Sequence, residues 1–501
     1  MNEKSAVEAA PNSVVSVSSP VSTQLGGRSL ASSKDLDDAY ELYRRQDATV
    51  LNPEEAHQVL RRIDWHILPL LMGTYLLQYL DKATVNFASV FGLREGTNLH
   101  GQDYSWSLSI FYFVHWRLCS RLQRSFPYSR YMTDEISVWG TLTIVTPACK
   151  SFAGIAVNRF LLGCFEAVVN PGFVLVLSMW WRQDEQPMRL TTYYSMNGIA
   201  GICGGLLGYA GYLAWAIMFL IFMPDLPTTA RFLNERQKIV AVERVATNKQ
   251  GVKNHHFKTY QMWQCLRDPK TWILFVMSIA SQIPNAAQSS FTSIVLETFG
   301  FNVLETQYLQ IPGNVIQFCS LLLSGWISSH FPNMRCTVML IGNLICVSSA
   351  AALVGLPAGL DGTHNRWGRL VALWLCSFSS VGFSLSLTVV SSNVAGYTKK
   401  QLTGAFLFVG YCVGNIIGPQ TFIDSEAPFY TSAYIAILIS YCVKTIMVIV
   451  LYLYMWAVNK KRDREATTYG SRLSVEQEKE AIEQGMQDVT ELDNKGFRYV
   501  L

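Results

Sequence analysis

Four charged residues stand inside otherwise apolar sequence, and they are where this chain could do chemistry. Asp81 and Lys82 interrupt the uncharged run from Ile67 to Leu93 at YLLQYLDKATVNFA, and Arg159 and Glu166 stand seven residues apart in NRFLLGCFE. A charged side chain at membrane depth costs at least a few kcal/mol even on lenient insertion scales, so each needs a partner or a water-filled site. Neighbouring residues on a helix project about 100° apart, so Asp81 and Lys82 cannot neutralise one another across a turn and are expected to meet different partners. Arg159 and Glu166 lie two turns, about 10.5 Å, apart on nearly one face. They can look into one cavity without touching, which fits a shared water-filled site. An intramembrane carboxyl with no cation in contact is a candidate to take up and release a proton. Structural readings stand beside these: an ion pair with another helix for Asp81 and Lys82, snorkelling for Lys82, and interfacial anchoring for Arg159.

Uncharged polar residues in the apolar runs give a weaker signal. Asn197, Gln282, Gln288, Gln317, Asn393 and Asn415 could donate hydrogen bonds to a carboxylate, or equally bond a neighbouring helix for about 0.6–2 kcal/mol. Asn415 stands out because it interrupts GYCVGNIIGP, whose glycines at 410, 414 and 418 permit close backbone approach. The glycines at 198, 201, 204, 205 and 208 read as helix packing, and Lys444 as a snorkelling or lipid-facing charge. The eleven cysteines lack CxxC or Cys/His ligand spacing, so no metal site is expected. No HExxH, GxSxG or Walker pattern occurs, which argues against an enzyme.

The elements that must position these residues are membrane helices. Half of the 501 residues are apolar and 15% are charged, against about 25% charged in a soluble domain. Long apolar runs recur, among them Ile67 to Leu93, Ile136 to Cys149, Phe160 to Trp181 and Tyr193 to Met223. At about 20 residues per crossing they amount to roughly ten to twelve spans. Lys and Arg cluster at Arg61-Arg62, Arg121 to Arg130, Arg182, Arg189, Lys399-Lys400 and Lys460 to Arg464, and in the 225–270 segment. By the positive-inside rule these segments and both termini face the cytoplasm.

The expected organisation is a disordered tail over 1–60, a first transmembrane bundle over 61–224, a basic cytoplasmic linker over 225–270, a six-helix bundle over 271–458 and a cytoplasmic tail over 459–501. The second bundle resolves into spans at 271–296, 307–329, 335–356, 368–393, 402–422 and 430–457. The first is irregular. His115, Arg117 and Arg121 fall where a second span should be finishing, and Tyr193 to Met223 is too long for one crossing and short for two. That run is expected to be a shortened hairpin turning near Gly208 to Gly211. The fold class is therefore an all-α polytopic membrane protein of two helical bundles, nominally 12 spans, with the second span weak and the fifth and sixth shortened or merged. Two six-helix halves are the parallel-repeat architecture of major facilitator transporters, with the substrate site near the midplane between them.

YLDKATVNFASVFGL, YSWSLSIFYF, NRFLLGCFEAVVNPGF, SMNGIAGICGGLLGY, GNIIGPQTF and the final FRYVL together resemble the fungal allantoate permease family, in the anion:cation symporter branch of the major facilitator superfamily. The resemblance covers about residues 55–501, excluding the interior of the central loop. The chain departs from it after FYF, where relatives have a full second span, and after LLGY, where they have a loop and a sixth span. The resemblance implies a proton-coupled symporter of a small organic anion, a carboxylated nutrient such as allantoate, nicotinate or pantothenate. It implies Asp81 and Glu166 as proton-coupling acids, and Lys82 as the cation that meets a substrate carboxylate. Arg159 is implied as a structural or substrate-linked cation and Asn415 as substrate-binding, with Asn197 and Gln288 as further candidates. The expected partners are the anion, protons and the lipid bilayer, with no cofactor beyond the proton gradient, no nucleic acid, a monomeric state and a plasma-membrane location. The competing class is a non-transporting nutrient sensor or defective relative that keeps the fold with an incomplete first bundle.

Overall fold

The computed structural model describes residues 53–89, 96–97, 99–113, 128–166, 169–203, much of 218–248, and 257–357, 364–468 and 475–501. Two features of the sequence reading, the poor helix at 114–127 and the turn near Gly208 to Gly211, lie outside the described residues. The first half contributes α1 (Pro53–Ala88), α2 (Asp103–Ile110), α3 (Tyr128–Val145), α4 (Phe152–Glu166), α5 (Val169–Trp180) and α6 (Gln186–Cys203). Two connecting helices follow, α7 (Glu235–Ala246) and α8 (Thr259–Arg267). The second half contains α9 (Pro269–Ala286), α10 (Thr292–Thr298), α11 (Val303–Tyr308), α12 (Ile311–His330), α13 (Arg335–Gly355), α14 (Arg366–Leu375), α15 (Ser379–Asn393), α16 (Tyr397–Gln420) and α17 (Thr431–Thr468), followed by α18 (Val475–Met486). Among the described residues there is no strand.

Among the described residues five stretches are long and apolar enough to cross a membrane: Val303–His330, Arg335–Gly355, Arg366–Asn393, Tyr397–Gln420 and Thr431–Glu465. They coincide with five of the six spans read in the second half. The sixth, 271–296, is broken. Pro284 near the end of α9 has no N–H to donate and its ring crowds the preceding turn, and a wider π turn over Ala287–Phe291 absorbs the mismatch before α10. The break brings Gln288, Ser289 and Ser290 toward the interior. Between α15 and α16 the chain reverses at Gly396, whose φ of +84° suits a residue without a Cβ.

Helix packing follows the small residues. A Cβ on Gly163 in α4 would fall 1.8 Å from the Phe111 carbonyl oxygen at the end of α2. One on Gly414 in α16 would fall 2.5 Å from the Ile279 oxygen of α9. Such close approaches are how helices associate where lipid removes the hydrophobic drive between them. All of α15 is buried, and its Phe383 ring packs against Tyr194 of α6, so this helix sits between the halves. Leu323, Ile341, Ile439 and Ile446 are exposed on the outside, the surface that lipid covers in a multi-pass protein.

The halves touch toward both ends. At the end that carries Arg182, Arg335 and Lys399, here the basic end, Gln183 Nε2 donates to the Ser392 oxygen (2.9 Å) and Gln186 Oε1 accepts from Ser391 Oγ (2.7 Å). Toward the other end Gln102 Nε2 donates to the Phe422 oxygen (3.1 Å) and Ser109 Oγ to the Ile416 oxygen (3.1 Å).

Two segments differ from the sequence reading. The 225–270 stretch, read as a loop, contains α7 and α8. Arg236 pairs with Glu55 (2.7 Å), Arg244 with Glu185 (2.7 Å), and Cys265 of α8 lies 3.4 Å from Thr403 Oγ1 of α16. The 459–501 stretch, read as a tail, begins as ten more residues of α17, because KKRDREATT holds no helix breaker. Its last part packs into the basic end: Glu491 is completely buried, and Val500 N–H donates to Asn393 Oδ1 (2.8 Å). Charge count alone suggested solvent exposure. The lysines that neutralise Glu491 come from elements about 90 and 220 residues away, a pairing that no local pattern displays.

Candidate functional site

The four intramembrane charges meet where α1 passes α4. Asp81 Oδ2 accepts from Arg159 Nη1 at 3.1 Å, and Lys82 Nζ lies 2.7 Å from Glu166 Oε1. The 100° step between Asp81 and Lys82 sends one to each end of the seven-residue interval on α4, so the expectation of different partners holds and those partners are Arg159 and Glu166. The picture of Glu166 as a carboxyl without a contacting cation is corrected: Lys82 pairs with it, and Gln78 Nε2 donates to the same oxygen at 2.6 Å. A single-helix view measured only the distance to Arg159 and could not see the facing helix. Glu166 Oε2 is buried and, among the described residues, has no hydrogen-bond partner. A buried oxygen with a free lone pair is unusual, and it is an open place for a proton.

The two pairs are not equivalent. Asp81, Arg159 and Glu166 keep 3%, 8% and 2% of their side-chain surface, whereas Lys82 keeps 18%. Lys82 and Arg159 line a cavity of about 440 Å³ together with Phe111, Tyr112, Ser289, Ser290 and Asn415. The Lys82 ammonium lies 5.5 Å from the centre of the Phe111 ring, which supplies a cation–π contact on one side. Asn415 reaches this cavity from α16. Its Nδ2 donates to Gln282 Oε1 (3.2 Å) and to the Tyr411 oxygen (2.9 Å), and its Oδ1 accepts from Asn285 Nδ2 (3.2 Å).

A second cavity of about 490 Å³ lies between the end of α9, α12 and α14, with Tyr79 of α1 at its edge. Its wall carries the amides of Asn285, Gln288, Gln310, Asn314 and Gln317, together with Trp374. Gln288 Oε1 accepts from Ser379 Oγ (3.2 Å), while its Nε2 is buried and without a partner among the described residues. This cavity can hydrogen-bond a neutral polar group, whereas the first offers cations.

The structure therefore brings together Asp81, Lys82, Arg159, Glu166 and Asn415, with Gln288 in the adjoining cavity. It does not bring Asn197 there: that residue is buried on α6 and lines neither cavity. Asn393 is also elsewhere, at the basic end, where its amide brackets Val500. Lys444, read as snorkelling or lipid-facing, is fully buried and donates to the Ser379 oxygen at 2.8 Å, a carbonyl of the facing helix α15 that a single-helix reading does not show. Sequence reasoning missed Tyr112, Ser289, Ser290 and Asn285. Pro284 was the available signal for the last three, since a proline inside a span bends the helix and turns the following residues toward a cavity. Among the described residues no group of three or more His, Cys, Asp or Glu could hold a metal ion.

Comparison with known proteins agrees with this architecture. The family profile for the Major Facilitator Superfamily matches residues 71–419. An uncharacterized transporter of Schizosaccharomyces pombe is 33% identical over 465 residues, 87% of this chain and 90% of its own length. The allantoate permease of Saccharomyces cerevisiae is 31% identical over 509 residues, 95% of this chain and 92% of its own. Among solved structures, the proton:xylose symporter XylE superposes with a TM-score of 0.56 over 78% of this chain and 95% of that one; at 14% identity the likeness is one of fold.

Proposed function

Since the chain belongs to the Major Facilitator Superfamily and, within it, to the allantoate permease-type fungal membrane transporters, we propose that it is a proton-coupled symporter that carries a small organic anion into the cell by alternating access. One observation supports this reading above the others: Lys82, a cation on the cavity wall, is paired with Glu166, whose second oxygen is open to a proton. The quartet of two cations and two carboxylates is neutral. An anion that engages Lys82 while Glu166 is ionised brings a third negative charge to two cations, which low-dielectric surroundings oppose. With Glu166 protonated, Lys82 is released to the anion and neutrality is kept. Proton and anion thus enter together, and the loss of either restores the Lys82–Glu166 pair.

In this reading Lys82 binds the substrate carboxylate, Glu166 carries the proton, and Asp81 fixes Arg159 as the second cation on the wall. Asn415 and the amides around Gln288 serve the polar, uncharged part of the substrate. The relative named for allantoate makes carboxylated nutrients the first to screen. The basic end faces the cytoplasm by the Lys/Arg rule, and the protein acts as a monomer in the plasma membrane. The test is uptake by proteoliposomes of a panel of carboxylates with and without an inward proton gradient. Wild type is expected to concentrate at least one of them only with the gradient, and Lys82→Gln to lose binding while the fold persists. Uptake indifferent to the gradient, or a Lys82→Gln variant with wild-type affinity, would overturn the proposal.

A further inference from the structure

Residues 488–501 make a set of contacts that the transport reading does not use. Glu491 ties three helix ends together: its Oε1 accepts from Lys270 Nζ at the start of α9 (2.8 Å) and from Lys399 Nζ at the start of α16 (2.5 Å), and its Oε2 accepts from the Ala395 N–H that follows α15 (2.9 Å). Lys399 also pairs with Asp268 (2.9 Å). The side chains of Asp268, Lys270, Lys399 and Glu491 have no solvent exposure, so two carboxylates balance two cations out of contact with water. Without Glu491, Lys270 and Lys399 would share Asp268 alone, an uncompensated charge in a desolvated place.

The same segment also reaches the contact between the halves. Val500 exchanges two hydrogen bonds with Asn393, the last residue of α15 (both 2.8 Å), and the Leu501 oxygen accepts from Arg335 N–H at the start of α13 (3.1 Å). Arg335 itself and the two residues before Asn393 make the bonds that close the basic end. Arg335 Nη1 donates to Ser392 Oγ (2.7 Å), Arg335 Nη2 to the Gln183 oxygen, and Ser391 and Ser392 Oγ to Gln186 Oε1 (2.7 and 2.8 Å). Gln183 and Gln186 belong to the first half; Arg335, Ser391 and Ser392 belong to the second. Residues 488–501 thus brace from behind the second-half face of this clasp, while the first half supplies the other face.

We infer that residues 488–501 are a strut that holds the clasp between the halves closed at the basic end, and that Glu491 is a positioning residue for the step in which that end opens. Opening needs α13 and α15 to draw away from Gln183 and Gln186, and the docked segment fixes the ends of both helices. Loosening the strut lowers the free energy of the open arrangement without touching the cavity. The inference concerns alternating access and needs neither the anion nor the proton assignment.

The test is hydrogen–deuterium exchange with mass spectrometry on the full chain in lipid nanodiscs, with no substrate present. Peptides over 183–193 report the first-half face of the clasp, peptides over 488–501 the strut, and peptides over 405–415 within α16 the integrity of the fold. Glu491→Gln is expected to raise exchange of both the strut and 183–193 by about ten-fold or more, the scale of local opening when a buried charge loses its partner, with α16 unchanged. Glu491→Asp, which keeps the charge, is expected to return both toward wild type. Val500→Pro removes one N–H and leaves the buried charges intact, so it serves if Glu491→Gln does not fold, and it should act in the same direction. A variant in which the strut exchanges freely while 183–193 keeps wild-type protection would overturn the inference. So would a strut that stays protected in every folded variant.

Discussion

On the proposed symport, Glu166→Gln is expected to separate proton coupling from anion binding, and the geometry sets the size of the effect. In the wild type an anion at Lys82 shares the cation with a carboxylate whose Oε1 is 2.7 Å from Nζ. Two unit charges about 4 Å apart interact by about 4 kcal/mol at an effective dielectric constant of about 20. Lys82 keeps 18% of its side-chain surface, so solvent screening leaves about 1–2 kcal/mol of competition. Removing it tightens anion binding by about ten-fold, since 1.4 kcal/mol is one decade in Kd. Protonating Glu166 in the wild type has the same effect, so wild-type affinity should improve as pH falls while the variant keeps its tight affinity at every pH. The assay is equilibrium binding of a radiolabelled carboxylate in detergent from pH 5 to 8, paired with uptake into vesicles. The variant should exchange internal for external substrate yet fail to accumulate it under a proton gradient. If the variant shows the wild-type pH slope, or still concentrates substrate when driven by pH, then Glu166 is only a structural partner of Lys82.

Three further outcomes follow from other parts of the molecule. Gly163→Ala should cost about 1–3 kcal/mol of stability by overpacking, read as a lowered unfolding temperature, because its Cβ would meet the Phe111 oxygen at 1.8 Å; an unchanged transition would refute the close α2–α4 contact. At the basic end, burial pushes the Asp268 and Glu491 carboxyls up, but Lys270 and Lys399 outweigh it and hold both below the usual carboxylate range. Their stabilisation is therefore fully present above the ordinary carboxylate pKa of about 4 and lost as pH falls through the lowered folded values, so thermal stability attributable to this cluster should be flat from pH 6 to 8 and decline only in strong acid. A Glu491-dependent loss of stability between pH 6 and 8 would contradict the pairing. A cysteine placed at Glu235, an exposed residue of α7, should react with an impermeant reagent only after cells are permeabilised; labelling in intact cells, above the background of the native cysteines, would reverse the proposed topology.

The second half of the fold was legible because its spans are long, apolar and separated by polar turns. The expected 335–356 and 368–393 fall within a residue or two of Arg335–Gly355 and Arg366–Asn393. The central charged cluster was legible in its residues and not in its pairing. Asp81, Lys82, Arg159 and Glu166 announce themselves by their cost in an apolar run. Which cation meets which acid depends on the height at which α1 passes α4, a relation between two separate helices that neither helix's own sequence displays. The amide cavity was half legible. Gln288 and Gln317 were candidates, while Asn285 reaches the cavity beside the break at Pro284, and Gln310 and Asn314 reach it from the start of α12, a meeting of separate helices that no local pattern displays. The docking of 488–501 was not legible, because a buried ion pair and a solvated one have the same composition.

Among the described residues two buried, neutral clusters of two acids and two cations stand out, and on the proposed reading their surroundings suit them to opposite duties. At the basic end all four side chains are closed to solvent, and Glu491 accepts three hydrogen bonds from three different helix ends. Such a cluster is costly to disturb by removing any one member, so it suits a fixed joint. The central cluster has one member, Lys82, on a cavity wall, and one oxygen, on Glu166, without a partner among the described residues. A second arrangement of equal charge is open to it: a proton on Glu166 and an anion on Lys82. The difference between a joint and a switch here lies in whether a ligand can replace one partner while neutrality is kept, and of the two clusters the central one alone faces a cavity from which that ligand can come.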